Sequence, residues 1–318
     1  IFERELALAG APRLLVLSQG MLGPAIIEFG TPEQQARFLP GIRNGDILLC
    51  QGYSEPNAGS DLAALSSSAR SAGDRYIVNG SKIWTTNAHT ADYMFGLFRT
   101  NAEGRRQDGI TLLLIDMKSP GITVRPIVTF DGEHEVNQVF FDDVEVPAAN
   151  RLGAENDGWR IGKIILGYEH FGSAETSRCL ASLIRAKAFL FSHRDGEIPV
   201  ATLRELARLE IELHALMQAE EGILFDEPTD QHRNDLGPAL LKIRGSELQQ
   251  EISAFFVAIL GHLAQLDFDL GPLDGDAEAM LDTPARTAVT SYFNARKLSI
   301  YSGANEVLKN SIARVLFS

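Results

Sequence analysis

Two segments decide how this chain is read: Gln51-Gly52-Tyr53-Ser54-Glu55-Pro56-Asn57-Ala58-Gly59-Ser60-Asp61, and downstream of it Gly80-Ser81-Lys82-Ile83-Trp84-Thr85-Thr86-Asn87. The first lacks bulk. Gly59 lets backbone amides approach an anionic group closely, and the Ser60 hydroxyl adds a donor for an oxyanion. The same residues also read as a polar turn capping a helix at Ser60-Asp61. In the second segment Trp84 offers a flat indole face, and Thr86, two residues on, is expected on the same side of a strand. A tryptophan that merely fills a β-domain is the competing reading.

Upstream of these segments, residues 1–50 carry a helical pattern. Leu14, Leu15, Leu17 and Met21 fall on short apolar spacings, with a stop near Phe29-Gly30. Thr31-Pro32-Glu33-Gln34 restarts a helix, with Thr31 as N-cap, Pro32 at the first helical position and Gln34 reaching back. Residues 51–156 change to short β-rich runs: Tyr76-Ile77-Val78, 110–115 and Val139-Phe140-Phe141. Asn79-Gly80, Asp108-Gly109, Pro120-Gly121 and Asp131-Gly132 read as the turns between them, giving a β-domain of barrel or sandwich type. From 157 to 318 helix returns. Ile161, Ile164, Ile165, Tyr168 and Gly172 share a face, and similar stripes recur over 203–217, 240–260 and 284–300. Residues 270–282, acidic and glycine-rich, read as an exposed connection. The expectation is an α+β multidomain chain with boundaries at 1–50, 51–156 and 157–318.

Composition narrows the function classes. A length of 318 residues implies two or three domains, and 45% hydrophobic with 22% charged residues describes an ordinary globular protein. The net charge of -13 argues against a nucleic-acid surface, and any anionic ligand must rely on a local cluster. Cys50 and Cys179 are too few for a disulfide framework; they read as packing residues and fit a reducing cytoplasm. No run of about 18 apolar residues suggests membrane insertion, and the opening Ile1-Phe2-Glu3-Arg4-Glu5 does not read as a signal peptide. His134, His193, His214, His232 and His262 lack metal-ligand spacing, so no metal is expected. The missing G-x-G-x-x-G fingerprint counts against a nicotinamide cofactor on a Rossmann fold.

The two opening segments, in order, resemble the acyl-CoA dehydrogenase family, whose middle domain carries a T/S-E-P-x-A-G-S-D loop and then an N-G-x-K-x-W-x-T-N strand. The resemblance implies an N-terminal helical domain, partly missing from this chain, a middle β-barrel and a C-terminal helical bundle. It implies FAD as cofactor and an acyl-CoA thioester as substrate. Carried over residue by residue, it puts Gln51, Tyr53 and Ser54 near the flavin ring and Gly59 and Ser60 at the pyrophosphate. It places Trp84 against the flavin and the Thr86 hydroxyl towards N5, with Asn305 and Glu306 completing the cofactor set. Ser60, Tyr168, His170 and Tyr301 are the implied substrate contacts.

The chain departs from the family at the base. Commonly a carboxylate precedes a glycine in Y-E-G-T-x-E/Q, whereas here Ile300-Tyr301-Ser302-Gly303-Ala304-Asn305-Glu306-Val307 places Ser302 at that position. A serine hydroxyl needs its own activating partner to act as a base. Members resembling isovaleryl-CoA dehydrogenase carry the base on the first long helix of the C-terminal domain, where this chain has Gly167-Tyr168-Glu169-His170-Phe171-Gly172. That nominates Glu169, at the edge of an apolar stripe whose wall is expected to raise its pKa. A solvated helix glutamate is the competing reading. The backbone N–H of Ser302 is left as a donor to the thioester oxygen. His170 replaces a usual arginine, which weakens CoA contact.

Two further departures concern the neighbouring subunit. The R-x-x-F-G and Q-x-x-G-G-x-G-Y segments of homotetrameric members should fall near 189–196 and 257–263, and neither is intact. The pattern resembles heteromeric α2β2 acyl-CoA dehydrogenases of steroid-degrading bacteria and pimeloyl-CoA dehydrogenase-like subunits, in which a paralogous subunit of a heterotetramer supplies part of each flavin site. The implied reaction is FAD-dependent α,β-dehydrogenation to a trans-2-enoyl-CoA in lipid degradation, with an electron-transfer flavoprotein as reoxidant. Space freed near Tyr301-Ser302 suits a bulky steroid-derived or cyclic acyl group, as in steroid catabolism. A noncatalytic subunit completing a partner's flavin site, or a flavin monooxygenase or oxidase on the same fold, are the alternatives. Arg178, Arg185 and Lys187 read as CoA-phosphate contacts or a solvated basic face, and Lys242 and Arg244 as residues of an interface helix.

Overall fold

A computed structural model describes residues 2–11, 17–172, 174–192, 197–225, 231–261, 264 and 283–317. The chain divides into two compact units. One holds residues 15–129 and 133–169, the other 1–14, 130–132 and 170–318.

The first unit is built on a sheet of eight strands among the described residues: β1 (Leu49–Gly52), β2 (Ser68–Ser71), β3 (Arg75–Thr86), β4 (Tyr93–Arg99), β5 (Ile110–Asp116), β6 (Ile122–Ile127), β7 (Val136–Pro147) and β8 (Arg151–Leu152). Their order is β6-β7-β3-β2-β4-β5-β8, with β1 pairing β4 in parallel. The long β3–β7 ladder is antiparallel and is interrupted by register shifts at Val78/Gly80 and Lys82/Thr85. The first interruption corrects a sequence expectation. Asn79-Gly80 lies inside β3 and reverses nothing, because Gly80 at φ 133 forms a bulge and the strand continues. No side chain fits there, since a Cβ would lie 2.4 Å from Ser67 Oγ.

Helices α2 (Gly23–Phe29) and α3 (Pro32–Asn44) precede the sheet. The expected cap is present at α3: the Gln34 amide N–H donates to Thr31 Oγ1 at 3.3 Å, and Thr31 N–H to Gln34 Oε1 at 3.0 Å. Such a reciprocal pair satisfies two otherwise orphaned donors. Met21, Leu22, Ile26, Phe38 and Ile42 join Phe95, Leu97, Leu112 and Leu114 in one buried cluster. Ile161 and Ile165, from α4 (Gly158–Gly172), close that cluster. Packing of this stripe is what fixes the rotation of α4.

The second unit is helical, containing α1 (Phe2–Leu8), α5 (Thr176–Ser192), α6 (Val200–Phe225), α7 (Gln231–Leu260), α8 (Thr283–Ala295) and α9 (Asn305–Phe317). Its core is drawn from Leu183, Leu190, Leu209, Leu213, Leu248 and Ile252 with their neighbours. Leu14 and Leu15, the connection 270–282, and the segment ends 193–196 and 262–263 lie outside the described residues. No described helix is long and apolar enough to cross a membrane.

Candidate flavin and acyl-CoA site

The two opening segments are tied together by a buried ion pair that sequence reading did not single out. Lys82 Nζ lies 2.8 Å from Glu55 Oε1 and donates to the Tyr53 carbonyl at 3.2 Å. Both side chains are buried. Glu55 also accepts from Ser66 N–H at 2.7 Å and Ser67 N–H at 2.9 Å, so its carboxylate organises the loop's exit. Burial pushes the Glu55 pKa up, but the Lys82 charge and these hydrogen bonds outweigh it and hold the group below its ordinary value. Burial pulls Lys82 down to about 8, opposed by Glu55. Both groups are charged at neutral pH, so the brace is an ion pair. The signal available in the sequence was Lys82 in a strand position that alternation makes a core position.

This brace leaves the remaining motif residues presented outward. Gly59 and Ser60 are exposed, and no heavy atom of the described residues lies within 4 Å of where a Gly59 Cβ would stand. The turn is narrow, with Glu55 and Ala58 exchanging backbone hydrogen bonds at 2.9 and 3.0 Å. Ile83 N–H donates to Ser54 O at 2.9 Å, joining loop to strand.

Trp84 stands 57% exposed, with φ 60, at the second interruption of the β3–β7 ladder. A left-handed backbone at a bulky residue costs about 1–2 kcal/mol. Leaving an indole in water gives nothing back. Thr85 is fully buried, and its hydroxyl finds no hydrogen-bond partner among the described residues. Thr86 is half-buried and pairs with Val136. The irregularity therefore changes the expected strand alternation: Lys82 and Trp84, two apart, are buried and exposed respectively. A bare glycine turn, a hydroxyl rim and an exposed indole on one unit fit a flat ring with an anionic tail, so the residues present suit FAD.

Glu169 lies on α4 in the same unit, half-buried, with the Gln51 amide 3.5 Å from its carboxylate. Tyr53 is buried, and its hydroxyl has no hydrogen bond of ordinary geometry among the described residues. Burial, then the charge of Glu169, push the phenol well above its usual range, with the Gln51 side chain offsetting part. Glu169 is thus close enough to act electrostatically on a strand that leads into the Ser54 loop. The contacts seen are polar, where an apolar wall was expected. Tyr168 donates its hydroxyl to Glu28 at 3.2 Å. His170 lies in the same helix, and its side chain is outside the described residues.

In the helical unit, Tyr301 is exposed, and Ser302 and Gly303 take φ 52 and 80. Glu306 is exposed in the first turn of α9. Asn305 is placed differently from a cofactor ligand: it is buried, accepts from Lys242 Nζ at 2.9 Å and donates to Ser246 Oγ at 3.1 Å. Its amide is spent inside the bundle. Lys242 is equally buried rather than on an interface face, while Arg244 pairs with Glu212 and Glu247. Lys187 pairs with Glu210 and Arg178 with Glu175, which favours a structural use of those cations. Both cysteines are buried, and burial pushes their thiols well up. Among the described residues no cluster of histidine, cysteine or carboxylates could hold a metal.

Comparison with known proteins agrees with this geometry. The description "Acyl-CoA dehydrogenase, middle domain" matches residues 50–144. The chain is 34% identical to acyl-CoA dehydrogenase IpdE1 of Mycobacterium tuberculosis, over 99% of its own length and 78% of the relative's. Among solved structures, the Tcur3481-Tcur3483 steroid ACAD superposes with a TM-score of 0.85 at 28% identity, covering 98% of this chain and 78% of that one. The ChsE4-ChsE5 complex from Mycobacterium tuberculosis gives 0.84 at 29% identity, covering 99% and 80%. The chain therefore belongs to the acyl-CoA dehydrogenase family of FAD-dependent oxidoreductases.

Proposed function

We propose that this protein carries out α,β-dehydrogenation of an acyl-CoA thioester, releasing a trans-2-enoyl-CoA, with Glu169 as the base. The observation that carries the reading is Glu169 itself: a half-buried carboxylate beside Gln51 and Tyr53, in the unit that presents Gly59, Ser60, Trp84 and Thr86. Ser54, Gly59 and Ser60 would hold the anionic and polar edges of FAD, and Trp84 and Thr86 its ring. When bound, that group supplies a two-electron acceptor for hydride from the β-carbon. Glu169 takes the α-proton. Tyr53, kept protonated, cannot compete as a base and serves instead to hold the carboxylate's surroundings. The Ser302 N–H is assigned to the thioester oxygen, and Tyr301, Tyr168 and His170 to substrate contact.

Replacing Glu169 with Gln preserves shape and removes basicity. Turnover should fall by roughly 10³-fold, within the range for loss of a positioned acid–base group, while the flavin spectrum stays unchanged. Undiminished turnover in the reconstituted complex would favour a noncatalytic subunit.

The partner is proposed to be a paralogous chain in a heterotetramer, supported by the two degenerate segments and by the two-name complexes among the structural neighbours. Purified alone, the chain should then hold little FAD; full, stable occupancy in a homo-oligomer would refute this. The likeness to the Tcur3481-Tcur3483 steroid ACAD favours a bulky, steroid-derived or cyclic acyl group. An electron-transfer flavoprotein as reoxidant, a cytoplasmic location and domain boundaries at 50/51 and 156/157 complete the reading.

A further inference from the structure

Lys242 is 1% exposed in the middle of α7, and its ammonium donates to the Gly303 carbonyl at 2.6 Å and to Asn305 Oδ1 at 2.9 Å. Asn305 is held in turn by Ser246, whose Oγ lies 3.1 Å from Nδ2 and donates to the Ile243 carbonyl at 2.9 Å. The Asn305 N–H closes the segment by donating to Ser299 O at 3.0 Å. Within that closed segment Ser302, a residue with a Cβ, is kept at φ 52 and Gly303 at φ 80. A left-handed serine persists only where surrounding bonds over-determine it. Two of the bonds on that segment end on one buried ammonium.

Burying a cation costs several kcal/mol, and an apolar side chain of similar length would fill the space more cheaply. Lys242 is therefore better explained by what it holds than by packing. We propose that Lys242, through Gly303 and Asn305, is a positioning residue that aims the Ser302 backbone N–H. This rests on the reading of that N–H as the donor to the thioester oxygen. A donor of this kind helps only when it is fixed in advance at the place where charge develops. Lys242, 61 residues away in sequence from Gly303, supplies the fixing.

The test compares two probes in the flavin-loaded complex of this chain with its partner subunit: hexanoyl-CoA, and the thioether hexyl-CoA, which has the same chain and no carbonyl oxygen. Wild type should bind the thioester more tightly. In Lys242→Met that preference should shrink by about tenfold, equivalent to the loss of one aimed hydrogen bond to a developing charge. Lys242→Gln, which keeps a donor, should retain part of it. Hydrogen exchange over residues 299–305 should quicken about tenfold in Lys242→Met, with α6 unaffected, as expected of local opening.

An unchanged preference together with unchanged exchange overturns the assignment of Lys242. Equal wild-type affinity for the two probes overturns the Ser302 reading instead. Equal weakening of both probes marks a merely structural lysine. Should Lys242→Met fail to fold, Ser246→Ala keeps the charge and loosens Asn305. It should move both readouts in the same direction by less, and full retention of both would refute the proposal.

Discussion

Two buried lysines organise two turns in different ways. Lys82 faces a carboxylate, and the pair braces the Ser54 loop against the Trp84 strand within one unit. Lys242 faces a backbone carbonyl and an amide, and secures the Ser302 turn within the other. The first arrangement pairs opposite charges over 27 residues; in the second, an ammonium donates to a backbone carbonyl and an amide oxygen. What differs is the consequence of losing the cation. Removing Lys82 strands the buried Glu55 carboxylate, whereas removing Lys242 releases the Gly303 carbonyl and the Asn305 amide oxygen that shape the Ser302 turn.

That contrast is broken most directly by Lys82→Met. It should destabilise by about 3–5 kcal/mol in a denaturant titration, the usual result of leaving one member of a buried pair uncompensated. Replacing both Lys82 and Glu55 by apolar residues should recover part of the loss. A double variant as unstable as the single would show that the pair acts mainly through its hydrogen bonds to the loop.

Acid sharpens the comparison. Glu55 has a folded pKa below its ordinary 4.5, so its contribution is complete above that value and disappears as pH falls through the lowered one. Thermal stability measured downward from pH 6 should fall below about pH 4.5 in wild type. The decline should be shallower in the Glu55/Lys82 double variant. Equal slopes would take the Glu55 carboxylate out of the acid response.

The smallest effect is expected at the strained bulge. Trp84→Gly relieves a left-handed backbone and removes an exposed ring, so stability should change by about 1 kcal/mol or less, in the stabilising direction. Flavin affinity should drop. Loss of stability without loss of affinity would make Trp84 a packing residue after all.

Much of the fold was legible because its signals are local. Thr31-Pro32-Glu33-Gln34 announced a capped helix, and the cap forms as expected, since both of its hydrogen bonds lie within four residues. Asn79-Gly80 was misread for the same reason. The dipeptide signals a positive φ, but whether that makes a turn or a bulge depends on β7 pairing on either side of it. Glu55 was visible in the motif without its role, because a glutamate shows its charge in sequence and its burial only in the fold. Asn305 was assigned to the cofactor by position, yet two helix-borne partners claim its amide.

By itself the sequence determined the family, the cofactor and the order of helix, strand and helix, because glycine, serine and tryptophan at those spacings have few other uses. Only the tertiary structure decided which charges are braces. In one dimension Lys82 shows only an alternation that points it inward, and Lys242 reads as a residue of an interface helix. A buried ammonium is tolerated only where distant chain segments bring acceptors to it, and those meetings do not exist until the chain has folded.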